Sequence, residues 1–207
     1  MSTSQNLTVN WTNVPTRTIT AGGVEFAYRE LGTSNPGTPV VFLVHMAAVL
    51  DNWDPRVVDG FAVKHHVITF DNRGIGASSG APATSIEQMA KDAITWASGI
   101  RAGKAFLARL KERSQNRDAE ITVTALQAQL KALRRWGSKE PADLSKIHQP
   151  VLVANGESDR MVPSKNTYDL ARRLPNSDLI IYPDSGHGAV FQFHADFMPK
   201  ALEFLAR

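Results

Sequence analysis

The chain has 207 residues, 43% hydrophobic and 21% charged, with net charge +3 and no cysteine. That composition supports one sizeable core and excludes disordered, collagen-like and coiled-coil states, disulfides, thiolate metal sites and a cysteine nucleophile. The longest apolar stretch, 40–50, is broken by His45 and falls well short of the roughly 20 residues of a membrane span; residues 1–14 lack the basic start and apolar block of a secretory signal, so a cytoplasmic protein without a membrane partner is expected.

Charge is unevenly placed. Residues 101–139 hold ten Lys/Arg against Glu112, Asp118 and Glu120, a local charge of +7 that leaves −4 for the remainder. These cations alternate with apolar residues at helical spacing and lack an aromatic platform, which reads as a solvated helix face, and no nucleic-acid partner is expected.

In chain order, Arg17 to Thr20 and Val24 to Leu31 flank Ala21-Gly22-Gly23, the pattern of a β-hairpin. Val40 to Val44 and Val67 to Phe70 are strand-like apolar runs, the first continuous enough to predict burial on both faces. Ser85 with Gln88 forms a capping box ahead of an apolar stripe that ends at Gly99, and Phe106, Leu107 and Leu110 mark a short helix near 102–113. Leu126, Leu130, Leu133 and Trp136 stripe another helix that stops at Gly137. Two further strands, Val151 to Ala154 and Leu179 to Tyr182, bracket a helix from Ser164 to Leu174. Phe197, Ala201, Phe204 and Leu205 stripe the last helix. Alternating strands and helices predict an α/β fold with a mainly parallel sheet flanked by helices.

In open α/β sheets, ligands bind at the carboxyl ends of strands. After Val40 to Val44 come His45-Met46-Ala47-Ala48. After Phe70 comes Asp71-Asn72-Arg73-Gly74-Ile75-Gly76-Ala77-Ser78. Asn155-Gly156-Glu157-Ser158-Asp159 follows the third apolar run, and Pro183-Asp184-Ser185-Gly186-His187-Gly188 the fourth. An Asp that orients a His is half of a nucleophilic triad. The 28-residue separation of Asp159 and His187 allows one strand-helix-strand crossover, which sets the two loops side by side.

Over 17–97 and 140–207 these residues resemble the α/β-hydrolase superfamily. The turn 71–78 is similar to its D-x-R-G-x-G-x-S motif, Gly156 to Asp159 to its G-x-x-D acid loop, and Ser185 to Gly188 to its histidine loop. The resemblance implies catalytic roles for His187 as base and Asp159 as its orienting acid, and an oxyanion-hole role for the Met46 backbone N–H. Where the family carries glycines after this position, the chain has Ala47 and Ala48.

The family's nucleophilic serine sits on a G-x-S-x-G elbow between a strand and a helix. The literal match, Gly76-Ala77-Ser78-Ser79-Gly80, has no strand directly before Ser78 and no helix directly after it. Ser98 ends a helix, Ser185 shares a loop with His187, and Ser158 neighbours the acid. The 88-residue interval from Asp71 to Asp159 is short for two βαβ units plus a lid. The chain therefore resembles a truncated hydrolase with an internal deletion of the central strands and nucleophile elbow: residues 1–100 as the N-terminal core, 101–139 as a basic helical lid remnant, and 140–207 as the C-terminal core. Such a loss exposes apolar sheet edges unless Val40 to Val44 and Val151 to Ala154 pair directly, and self-association through exposed edges is the corresponding expectation.

The family activity implied is hydrolysis of carboxylic esters or related acyl substrates by Ser-His-Asp chemistry, impaired here without the elbow. The alternative is a non-catalytic member that binds a small apolar acyl ligand or a protein partner. No phosphate-binding glycine fingerprint follows a strand and the histidines show no metal spacing, so no nucleotide, metal or organic cofactor is expected.

Overall fold

A computed structural model describes residues 9–21, 24–79, 111–138 and 140–207. They fall into two compact units, one drawn from 9–79 and 111–136, the other from 137–207. The glycine turn at 22–23, the helix expected to end at Gly99, and Ser98 lie outside the described residues. So does the helix expected near 102–113, save its last three residues, which are not helical.

The first unit holds β1 (Arg17–Ala21), β2 (Val24–Leu31), β3 (Val40–Leu43) and β4 (Val67–Phe70) in the sheet order β1-β2-β4-β3. β1–β2 and β2–β4 are antiparallel, whereas β3–β4 is parallel, with Val40 opposite Val67 and Leu43 opposite Phe70. The parallel pair is joined through α1 (Pro55–Ala62), absent from the elements expected above. Asp54 caps it by accepting from the Arg56 N–H at 3.0 Å, Pro55 occupies the first turn, and Val57, Val58, Phe61 and Ala62 are buried. Such a cap contributes about 1 kcal/mol.

β3 departs from the expected two-sided burial, because Val41 and Leu43 are 51% and 69% exposed. The strand lies at the edge of its sheet. Phe42 packs its ring edge-on to Trp53 and Phe61, with centroids 4.8 and 5.5 Å away, while the alternate residues face out. Among the described residues β3 has one hydrogen-bonded neighbour, β4.

Residues 111–122 are fixed to this unit by a buried ionic cluster. Arg29 is fully buried on β2; its Nη1 lies 2.8 Å from Asp51 Oδ1, an ion contact outside hydrogen-bond alignment, and its guanidinium sits 5.0 Å over the Trp11 ring. Asp51 Oδ2 accepts from the Asp118 N–H at 2.8 Å. Arg113 is buried too and donates to the Val14 carbonyl at 2.9 Å. One cation assigned to a solvated face is thus interior, where removing a partner would strand a charge.

An apolar anchor is supplied by α2 (Val123–Gly137). Its Thr122 hydroxyl accepts from the Ala125 N–H at 3.1 Å, and Ala125 packs with Val49 and Ile75. Toward its end the stripe reaches solvent, with Leu133 and Trp136 exposed.

In the second unit, β5 (Val151–Gly156) and β6 (Ser177–Tyr182) pair in parallel, Val151 opposite Ser177 and Gly156 opposite Tyr182. They are linked through α3 (Ser164–Arg173) and followed by α4 (Ala189–Gln192) and α5 (His194–Leu205). Among the described residues no helix is long and apolar enough to cross a membrane.

Candidate active site

The carboxyl ends of β5 and β6 are adjacent because the pair is in register there, and they bring two of the three expected site residues together. His187 Nδ1 lies 3.0 Å from Asp159 Oδ2. The Asp159 side chain is 1% exposed and that of His187 38%, so the acid is interior and the ring reaches solvent. Asp159 Oδ1 accepts from the Met161 and Val162 N–H groups at 2.9 and 3.0 Å. A carboxylate only accepts, so Nδ1 carries the hydrogen and the Nε2 lone pair is the basic position.

Backbone hydrogen bonds clamp the acid and histidine loops. The Glu157 N–H donates to the Tyr182 carbonyl at 2.8 Å and the Ser158 N–H to the Ser185 carbonyl at 2.9 Å. The Ser164 hydroxyl donates to the Gly156 carbonyl at 2.6 Å. Approach is so close at Gly156 that a Cβ there would lie 2.6 Å from the Ser185 carbonyl carbon and nearer still to the Ser185 and Gly186 oxygens. Glycine is required by proximity at this position.

Two of the serines weighed as nucleophiles are committed elsewhere. The buried Ser78 hydroxyl donates to the Asp71 carbonyl at 2.9 Å and accepts from the Ala27 N–H at 3.0 Å, stitching the 71–78 turn to β2. The buried Ser185 hydroxyl donates to the Tyr182 carbonyl at 2.9 Å. Gly74 and Gly76 give the same turn its left-handed corners, at φ +67° and +55°.

In the first unit, the loop after β3 carries Met46, partly buried, with no acceptor for its N–H among the described residues. Ala47 adopts φ +67°, the left-handed conformation that glycine takes more easily. Its N–H donates to Gln129 Oε1 at 2.9 Å. Nearby, the Leu50 N–H is shared by Asp71 Oδ1 at 2.9 Å and Asp118 Oδ2 at 3.3 Å. Burial, then the adjacent Asp118 carboxyl, raises Asp71 well above the ordinary carboxylate range.

Sequence reasoning did not find Gly156 as the contact point of the two loops, nor Gln129. For the first a signal existed: G-x-x-D directly after an apolar run leaves the glycine at the strand end. For Gln129, 82 residues from Ala47, no local signal exists.

The family model of the alpha/beta hydrolase fold matches residues 100–193. The chain is 34% identical over 103 residues, 49% of its length, to a 2-hydroxy-6-oxononadienedioate/2-hydroxy-6-oxononatrienedioate hydrolase of Klebsiella pneumoniae subsp. pneumoniae. It is 31% identical over 90 residues, 42% of its length, to a 2-hydroxy-6-oxo-6-(2'-aminophenyl)hexa-2,4-dienoic acid hydrolase of Metapseudomonas resinovorans. These matches span about a third of the relatives' own lengths, 34% and 31%. Among solved structures, an alpha/beta hydrolase fold protein from Chitinophaga pinensis is similar with a TM-score of 0.86 at 25% identity, over 95% of this chain and 99% of that one. A serine hydrolase involved in carbazole degradation shares the fold with a TM-score of 0.66 at 19% identity, over 93% of this chain and 99% of that one.

Proposed function

Because the chain has the α/β-hydrolase fold, we propose that it is a member of that superfamily in which Asp159 and His187 form the base relay of a site for carboxylic esters or related acyl compounds. The 3.0 Å bond between His187 Nδ1 and Asp159 carries this reading, because it leaves Nε2 basic on a ring that reaches solvent. His187 Nε2 is the general base, and Asp159 orients the ring and stabilises the imidazolium; the oxyanion-hole role of the Met46 N–H rests on the family resemblance of the loop after β3. Relatives named as hydrolases of 2-hydroxy-6-oxo acids support a small carbonyl-bearing substrate. A cytoplasmic location and the absence of nucleic-acid and membrane partners belong to the same reading. The exposed Val41 and Leu43 of β3 support self-association.

In a complete site the base takes a proton from a serine hydroxyl, whose oxygen attacks the carbonyl; the acyl group then passes to water. Among the described residues the Ser78 and Ser185 hydroxyls are held by main-chain carbonyls, which supports impaired turnover in which His187 acts on water directly. Loss of the nucleophile elsewhere leaves about 10³ to 10⁴ over the uncatalysed rate. An internal deletion between Asp71 and Asp159 accounts for the missing elbow. The same commitment of the serines favours a second reading, a non-catalytic protein that holds a small apolar acyl ligand or a protein partner.

Fluorophosphonate labelling with p-nitrophenyl ester turnover, on the parent and His187→Ala, tests both. The expected result is slow, His187-dependent turnover without a serine adduct. A stoichiometric adduct overturns the impairment, and turnover unchanged in His187→Ala overturns the catalytic reading in favour of ligand holding.

A further inference from the structure

The turn after β3 contains a backbone donor already occupied by a side chain of the same protein. Ala47 is held at φ +67°, a left-handed conformation that is unfavourable for a residue with a Cβ. Its N–H meets Gln129 Oε1 at 2.9 Å. The left-handed turn and the Gln129 contact therefore occur at the same residue.

The two partners differ in how firmly they are fixed. Gln129 stands about one turn beyond Ala125 and Leu126, both buried, and Ala125 packs against Val49, two residues past Ala47. The backbone positions are therefore anchored in one apolar cluster. The Gln129 side chain is half-buried and reaches the amide through rotatable bonds. Chemically, Oε1 is a neutral carbonyl oxygen, the same acceptor that an ester or amide presents, and a carboxylate oxygen is a stronger one.

We propose that Gln129 is an internal cap on an acyl-oxygen site, and that a carbonyl or carboxylate oxygen of a small acyl ligand takes the Ala47 N–H when the Gln129 side chain swings away. This rests on the reading of the loop after β3 as the acyl-oxygen position. It adds a second N–H beside that of Met46 and makes Gln129 a positioning residue that sets how tightly the oxygen is held. No bond is made or broken; one hydrogen-bond acceptor replaces another.

The test is titration of the ¹⁵N-labelled full chain with sodium butyrate, following the Ala47 amide resonance in the parent, Gln129→Met and Gln129→Glu. Gln129→Met removes the competing oxygen at similar volume, and the cap it removes is worth about three- to tenfold in affinity. Saturation at a three- to tenfold lower butyrate concentration is expected. Gln129→Glu places a charged acceptor on the same amide and is expected to raise the required concentration. An Ala47 amide unmoved by butyrate in all three proteins, or three coincident titration curves, overturns the proposal. Because the readout needs no turnover, a failure of the His187 relay in the ester assay leaves this result intact, and the reverse holds.

Discussion

Gly156→Ala tests the close packing that brings acid and base together. The added Cβ would lie 2.6 Å from the Ser185 carbonyl carbon, whereas ordinary contact begins at 3.4 Å, so the loops must separate by about 1 Å. The atoms in the way are main chain and cannot rotate aside. Separation stretches the Ser158–Ser185 and Glu157–Tyr182 bonds, now 2.9 and 2.8 Å, and then the 3.0 Å Asp159–His187 bond. Overpacking costs about 1–3 kcal/mol and the stretched, unbroken hydrogen bonds together about 1 more, for a total of roughly 2–4 kcal/mol. For a chain of this size that lowers the thermal midpoint by about 5–15 °C. Calorimetry would record the loss, and the low-field Nδ1 proton of His187 would move toward its solvent-exposed position. Without a clash, Gly→Ala at an ordinary backbone angle stabilises by about 0.4–1 kcal/mol through the unfolded chain. A raised midpoint with an unmoved His187 proton would therefore refute the packing argument.

Two further outcomes follow from charge and exposure. Burial pushes Asp59 up to about 6 from 3.8, against the opposing pull of the Trp11 N–H that donates to it at 2.7 Å. The protonated form is favoured in the fold, so this contribution to stability is complete below pH 3.8 and is lost as the pH rises through about 6. Asp59→Asn keeps an acceptor for Trp11 and should be more stable than the parent at pH 7 by about 1–2 kcal/mol, after solvent screening of the partly exposed group, with the gain shrinking toward pH 4. Urea unfolding at both pH values checks this, and a loss at pH 7 would contradict it. Leu43→Lys places a charge on the 69% exposed position of edge strand β3. Sedimentation at rising concentration should show less self-association than the parent; identical profiles would remove β3 from consideration.

The parts of the fold legible in the sequence were those coded locally. Asp159 and His187 each follow an apolar strand, and a single crossover separates them, so their meeting needed only the right-handed βαβ rule. The Leu126-to-Trp136 stripe gave α2 to within a few residues. Helix α1 had its signals in Asp54-Pro55 and in Val57, Val58 and Phe61, but at eight residues it is too short for periodicity to stand out. Arg113 was hidden for a different reason: a cation among apolar residues reads as solvated until Asp51 and the Val14 carbonyl, both remote in sequence, are seen to receive it. The exposure of Val41 and Leu43 depends on what lies beside β3, which the run of five apolar residues does not encode. Ala47 inverts the usual inference, since a left-handed turn is read from glycine and here an alanine adopts it.

The Asp159–His187 bond spans 28 residues of chain, more than half of them in α3 and β6, with Asp159 just past the end of β5. The entropy of closing a loop grows only with the logarithm of its length, and contacts of small sequence separation form early. The relay is therefore complete once this one parallel pair has formed. Its loop is far shorter than the 102-residue reach from Arg113 to the Trp11 carbonyl, so orienting the histidine costs less closure entropy than fixing the buried arginine.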